Sequence, residues 1–193
     1  MPSCNASQDL KYSVIIVMGV CGVGKSTIGS LLAQRIGACF VEGDDFHPEA
    51  NVKKMAHGMA LNDADRWPWL KALRASITLK LQENKIVVVA CSALKASYRE
   101  VLCHPGWSVL WVHLHGPRAL IQERLLSRQG HFMPASLLED QIQTLEVPKN
   151  ALTIFADQPS ETIIANIGKF CNIDIFEDGA GKKFGVALQN SLF

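Results

Sequence analysis

The stretch Val14-Ile15-Ile16-Val17-Met18-Gly19-Val20-Cys21-Gly22-Val23-Gly24-Lys25-Ser26-Thr27-Ile28 decides the fold. Its first five residues are apolar, as expected of a strand buried on both faces. Gly19 to Ser26 then spell a complete G-x-x-x-x-G-K-[ST] signature, and Ser26-Thr27-Ile28 opens a helix. In a strand–loop–helix of this kind the loop N–H groups point inward as an anion nest, and the helix N-terminus adds its positive dipole end. Gly19, Val20, Cys21, Gly22, Val23, Gly24, Lys25, Ser26 and Thr27 are therefore expected to cradle the phosphates of a nucleoside triphosphate. Lys25 is placed to reach the β- and γ-phosphates, and the Ser26 hydroxyl to ligate Mg²⁺.

Outward from this loop, apolar runs alternate with helical patterns. Strands are expected over 38–41, 86–90, 109–114 and 152–155, and helices over 25–36, 48–57, 68–83, 95–103, 117–129, 135–145 and 160–171, with 58–66 as a loop. Such alternation implies an α/β fold of the P-loop NTPase kind, a parallel β-sheet flanked by helices. Residues 1–11 read as an N-terminal extension, 12–172 as the domain, and 173–193 as a turn-rich tail expected to be partly disordered or loosely docked.

The 193 residues are 48% hydrophobic and 19% charged, an ordinary composition for one domain with a substantial core. A formal net charge of +1 leaves no broad basic field, so neither nucleic acid nor membrane is an expected partner. The apolar run at 14–20 is too short to span a bilayer, and the first eleven residues lack the basic start and cleavage site of a signal peptide. A cytoplasmic location is expected. The six cysteines show neither C-x-x-C nor metal-like spacing, and are expected to be thiols.

A phosphate loop alone does not name the acceptor; three further clusters bear on it. Glu42-Gly43-Asp44-Asp45-Phe46-His47-Pro48 is followed by Asn51, Lys53-Lys54-Met55 and Leu61-Asn62-Asp63-Ala64-Asp65-Arg66-Trp67-Pro68-Trp69-Leu70. Ala90-Cys91-Ser92-Ala93-Leu94-Lys95 leads to Tyr98-Arg99, and Arg124-Leu125-Leu126-Ser127-Arg128-Gln129-Gly130-His131-Phe132-Met133-Pro134 continues through Gln141 to Pro148. Together they resemble the gluconate kinases, small P-loop enzymes related in fold to shikimate kinase and the nucleoside-monophosphate kinases. The resemblance runs from about Val14 to Cys171. It implies a mobile lid over about 124–140, a homodimer, and phosphorylation of the terminal hydroxyl of D-gluconate by ATP with Mg²⁺, giving 6-phospho-D-gluconate and ADP.

The residue types suit that chemistry. An alcohol needs a carboxylate to orient it and take its proton, and Asp44 follows a strand end, so Asp44 is the expected base. On an extended segment Asp45 would point the other way, toward substrate hydroxyls or metal-bound water; in a purely structural role the two acids would cap the following helix. A sugar acid calls for a guanidinium fork, and Arg66, preceded by two acids that could orient it and followed by Trp67-Pro68 as a stiff helix start, fits best. His47, Asn51, Lys95 and Arg99 are further candidates, the last two otherwise belonging to a solvated helix face. Arg124 and Arg128 stand one helical turn apart, suited to laying guanidinium groups over the phosphates as the lid closes, and His131 follows them. No Asp ends the strand at 86–90, so Ser26 with Glu42 or Asp44 is expected to hold Mg²⁺. The atypical tail leaves a second reading, a nucleotide-binding protein with little turnover.

Overall fold

The computed structural model describes residues 11–127 and 137–175. Five strands, β1 (Val14–Met18), β2 (Cys39–Glu42), β3 (Val87–Ala90), β4 (Val109–His115) and β5 (Leu152–Phe155), form one sheet in the order β2-β3-β1-β4-β5, with every pairing parallel. β1 and β3 carry no exposed residue, which is why both read as unbroken apolar runs rather than alternating ones. Their burial, at about 1.5–3 kcal/mol per large aliphatic side chain, makes the centre of the sheet the anchor of the fold.

Among the described residues six helices connect the strands, α1 (Lys25–Ile36), α2 (Glu49–Ala56), α3 (Asp63–Glu83), α4 (Ala96–Leu102), α5 (Arg118–Leu126) and α6 (Leu137–Thr144), and a seventh, α7 (Ser160–Cys171), follows the last strand. The chain steps from β1 outward to β2 and then back to β3, so right-handed crossovers put α1 and α3 on opposite faces. α1 packs on α7, and α3 on α4. The direction of travel reverses between β1 and β3, and their carboxyl ends frame the crevice where open α/β sheets take ligands.

Two expectations need correction. Residues 63–66 are not loop: α3 begins at Asp63, five residues before Pro68, because Asn62 and Asp65 form a capping box. The Asn62 side chain accepts from the Asp65 N–H at 2.9 Å, and the Asp65 carboxylate accepts from the Asn62 N–H at 2.8 Å. Pro68 lies inside the helix at the cost of one backbone hydrogen bond. At the start of the tail, Ile173 and Ile175 pack on the core, and Ile175 lies against Gly168 of α7. α5 ends at Leu126, short of the expected 129; residues 128–136, the middle of the expected lid, and 176–193 lie outside the described residues.

Among the described residues, no cysteine is in a disulfide and no helix is long and apolar enough to cross a membrane.

Candidate active site

The phosphate loop joins β1 to α1, and Gly24, the residue before the helix, has φ of 108°, a left-handed conformation that side chains resist. Lys25 Nζ donates to the Val20 carbonyl at 3.0 Å, so the ammonium curls over the loop. On the opposite flank the Cys21 N–H donates to Gln141 Oε1 of α6 at 2.7 Å in a buried contact. A backbone N–H can only donate, so the Gln141 carbonyl oxygen must be the atom facing the loop.

β2 runs straight into a 3₁₀ turn, Gly43–Phe46, that carries the acidic cluster. A side chain at Gly43 would put its Cβ 2.4 Å from the Ala90 carbonyl oxygen, so the close approach of turn and β3 requires glycine. From the other side Trp69 Nε1 of α3 donates to the Gly43 carbonyl at 2.7 Å. The turn replaces the extended segment expected for Asp44 and Asp45. Asp44 lines the cleft, while Asp45 is exposed and does not.

Glu42 accepts from the Asp44 N–H at 3.3 Å and is hydrogen-bonded to the Ser26 side chain; burial pushes its carboxyl pKa up. His47 stacks on Trp69, with ring centroids 4.0 Å apart and planes 19° from parallel. Its Nε2 lies 3.9 Å from Asp44 Oδ1. Burial pulls the His47 pKa down from 6.5 to about 4; nearby Asp44 opposes the shift and Arg66 reinforces it. The ring is therefore neutral at pH 7.

Arg66 reaches the cleft from the first turns of α3, and Arg66 Nη1 donates to the Tyr98 hydroxyl at 3.1 Å. The two acids expected to orient it are engaged elsewhere: Lys54 Nζ donates to Asp65 Oδ2 at 2.6 Å, and Lys95 Nζ to Asp63 Oδ1 and Oδ2 at 2.8 and 3.1 Å. Lys95 and Arg99 do not line the cleft. Arg99 Nη1 donates to the Ala93 and Leu94 carbonyls at 2.9 and 3.1 Å, fixing a turn in which Ala93 holds a left-handed φ of 43° and which presents Ser92 to the cleft. Asn51 is buried and ties α2 to α3 through the Asp65 carbonyl at 2.8 Å.

The structure thus brings Lys25, Ser26, Asp44, His47 and Arg66 around one cleft of about 730 Å³. Ser92, Asp140 and Gln141 add polar groups, and Met55, Leu61 and Leu137 form an apolar wall of their own. A second hollow of about 740 Å³ lies on the other side of the loop, lined by Thr27, Arg124, Ser127, Gln158 and Ser160. Among the described residues the two share Gly22 and Gly24. Arg124 is pinned above the loop by hydrogen bonds to the Val23 carbonyl at 3.3 Å and the Ala156 carbonyl at 3.0 Å. Arg128 and His131 lie outside the described residues. Trp69 and Gln141 belong to the motif clusters, but their contacts escape a reading by motif because the partners are distant in sequence, 26 residues away for Trp69–Gly43 and 120 for Cys21–Gln141; Asp140 carries no motif signal.

The Ser26 hydroxyl and the Glu42 carboxylate, already in contact, offer hard oxygen donors of the kind Mg²⁺ accepts. Burial makes the ionised Glu42 costly, and a cation beside it would offset that cost. Among the described residues no cluster of three or more His, Cys, Asp or Glu side chains could hold a metal alone. The two oxygen donors fit an ion that takes its remaining ligands from phosphate and water, as Mg²⁺ does.

Residues 14–148 match the family described as AAA domain. A gluconokinase of Gluconobacter oxydans is 47% identical over 72% of this chain and 78% of its own length. A probable gluconokinase of Xenopus tropicalis is 41% identical over 80% of this chain and 90% of its own. Among solved structures, that of a gluconokinase from Sinorhizobium meliloti superimposes with a TM-score of 0.73 at 40% identity, covering 84% of this chain and 95% of that one. Similarity of this extent shows that the chain belongs to the gluconokinase family.

Proposed function

We propose that the chain transfers the γ-phosphoryl group of ATP to the terminal hydroxyl of D-gluconate, giving 6-phospho-D-gluconate and ADP. One observation carries this reading: a carboxylate, Asp44, and a guanidinium, Arg66, that has no carboxylate partner among the described residues face the phosphate loop across a single cleft. A sugar acid offers a hydroxyl to the first and a carboxylate to the second.

The loop N–H groups and Lys25 hold the transferring phosphate and take up its charge. Asp44 orients the acceptor hydroxyl and receives its proton as the new phosphorus–oxygen bond forms and the bond to the ADP oxygen breaks. His47, neutral and stacked on Trp69, leaves the charge of Asp44 uncompensated at working pH. Ser26 and Glu42 would hold Mg²⁺, which when bound neutralises phosphate charge. Arg66 clamps the far end of the acceptor and so fixes which hydroxyl reaches Asp44. Arg124, Thr27 and Gln158 line the second hollow, which on this reading takes the nucleoside. Family membership further supports a homodimer working in the cytoplasm, which light scattering and fractionation would test.

The central test is ADP release from Mg-ATP by the full chain, with and without D-gluconate. Gluconate-dependent turnover is expected, with kcat reduced about 10²–10⁴-fold in Asp44→Asn and to a similar degree in Lys25→Ala. Nucleotide binding with no acceptor-stimulated release would overturn the assignment.

A further inference from the structure

Asp63 and Arg66 stand three residues apart on α3, the spacing at which a carboxylate and a guanidinium meet across one helical turn. They do not pair. Both oxygens of Asp63 accept from Lys95 Nζ, which comes from the residue capping α4, and Oδ1 accepts the Tyr98 hydroxyl proton as well. Arg66 donates instead to the uncharged Tyr98 oxygen and lies over the same ring, with its guanidinium carbon 5.4 Å from the ring centroid. Asp65, the other acid beside it, is occupied by Lys54 Nζ and by the helix cap. Among the described residues Arg66 forms no ion pair, although it sits among acids.

Building on the reading of the chain as a sugar-acid kinase, we propose that Lys95 is a positioning residue for acceptor recognition: by engaging Asp63 it keeps the Arg66 guanidinium unneutralised for the acceptor's carboxylate. Tyr98 completes the arrangement, since a hydroxyl orients the guanidinium without cancelling its charge. An incoming carboxylate then meets a cation that is held in place and has no internal anion to displace. Lys95 itself does not line the cleft, and its ammonium is directed at Asp63. Its effect on the acceptor therefore runs through Asp63 and Arg66.

The test compares Lys95→Met, Asp63→Asn and the double variant Asp63→Asn/Lys95→Met by steady-state kinetics on the full chain, with thermal denaturation to verify folding. In Lys95→Met the released Asp63 is expected to turn to Arg66 and raise KM for D-gluconate roughly tenfold, with kcat held within about twofold. Asp63→Asn alone, and the double variant, are expected to stay within about threefold of the parent KM, because without the acid there is nothing to neutralise Arg66. An unchanged KM in Lys95→Met overturns the proposal. So does a raised KM that the second substitution fails to restore, the result expected if Lys95 touched the substrate or merely supported the fold. Failure of the underlying reading looks different: the parent chain shows no gluconate-dependent turnover, or Arg66→Met leaves KM for gluconate untouched, and the proposal then falls with it.

Discussion

His47 shows how one side chain ties stability to pH. Its folded-state pKa of about 4 lies below the ordinary 6.5, so between these values the unfolded chain binds more protons than the folded one. The stability derived from the neutral ring is complete above about pH 6.5, declines through the window, and is lost below about pH 4; at most it amounts to roughly 3 kcal/mol. His47→Phe would keep the stacking on Trp69 and remove the titration. Urea denaturation at pH 7 and pH 5 should show the parent losing about 1–2 kcal/mol more than the variant over that interval. Equal losses would mean that the ring charges without penalty. Cys91 is a second buried group, its thiol pushed up to about 12, and in the folded chain it is expected to resist alkylation at pH 8.

At the scale of elements, the turn Gly43–Phe46 depends on two contacts that fix Asp44 relative to the loop: the tight approach of Gly43 to Ala90 and the hydrogen bond from Trp69. Gly43→Ala cannot be accommodated without moving the end of β2 or β3. It is expected to cost about 1–3 kcal/mol of stability and to lower kcat, both measurable on the same preparation. What could be read beforehand follows from the same physics. The phosphate loop is legible because its glycines answer to local backbone geometry and its lysine and serine to phosphate and metal chemistry within one short segment, and β1 and β3 because burial on both faces leaves an uninterrupted apolar run. The start of α3 is masked in the sequence by Pro68, which resembles a helix opening, although the Asn62–Asp65 box is there to be read. The partners of Arg66, Asp63 and Cys21 were not legible at all. They are set by which helix the crossovers bring alongside, at separations of 32 and 120 residues.

For the whole molecule, the chain beyond α7 matters through Ile173 and Ile175, which are half-buried against the core. Removing residues 173–193 is expected to cost about 1–3 kcal/mol more than removing 176–193, since only the longer deletion uncovers that surface. Calorimetry of the two truncations would check it. The partition of the cleft from the neighbouring hollow, with the glycines of one loop as their common wall, has a kinetic corollary. Donor and acceptor can be resident together and meet across that wall, so the order of events is a ternary encounter rather than a relay. No side chain needs to carry the phosphoryl group between visits, and initial-rate plots should intersect rather than run parallel. A single molecule joining a nucleoside to a sugar acid through a polyphosphate tether would straddle both chambers and hold more tightly than either half.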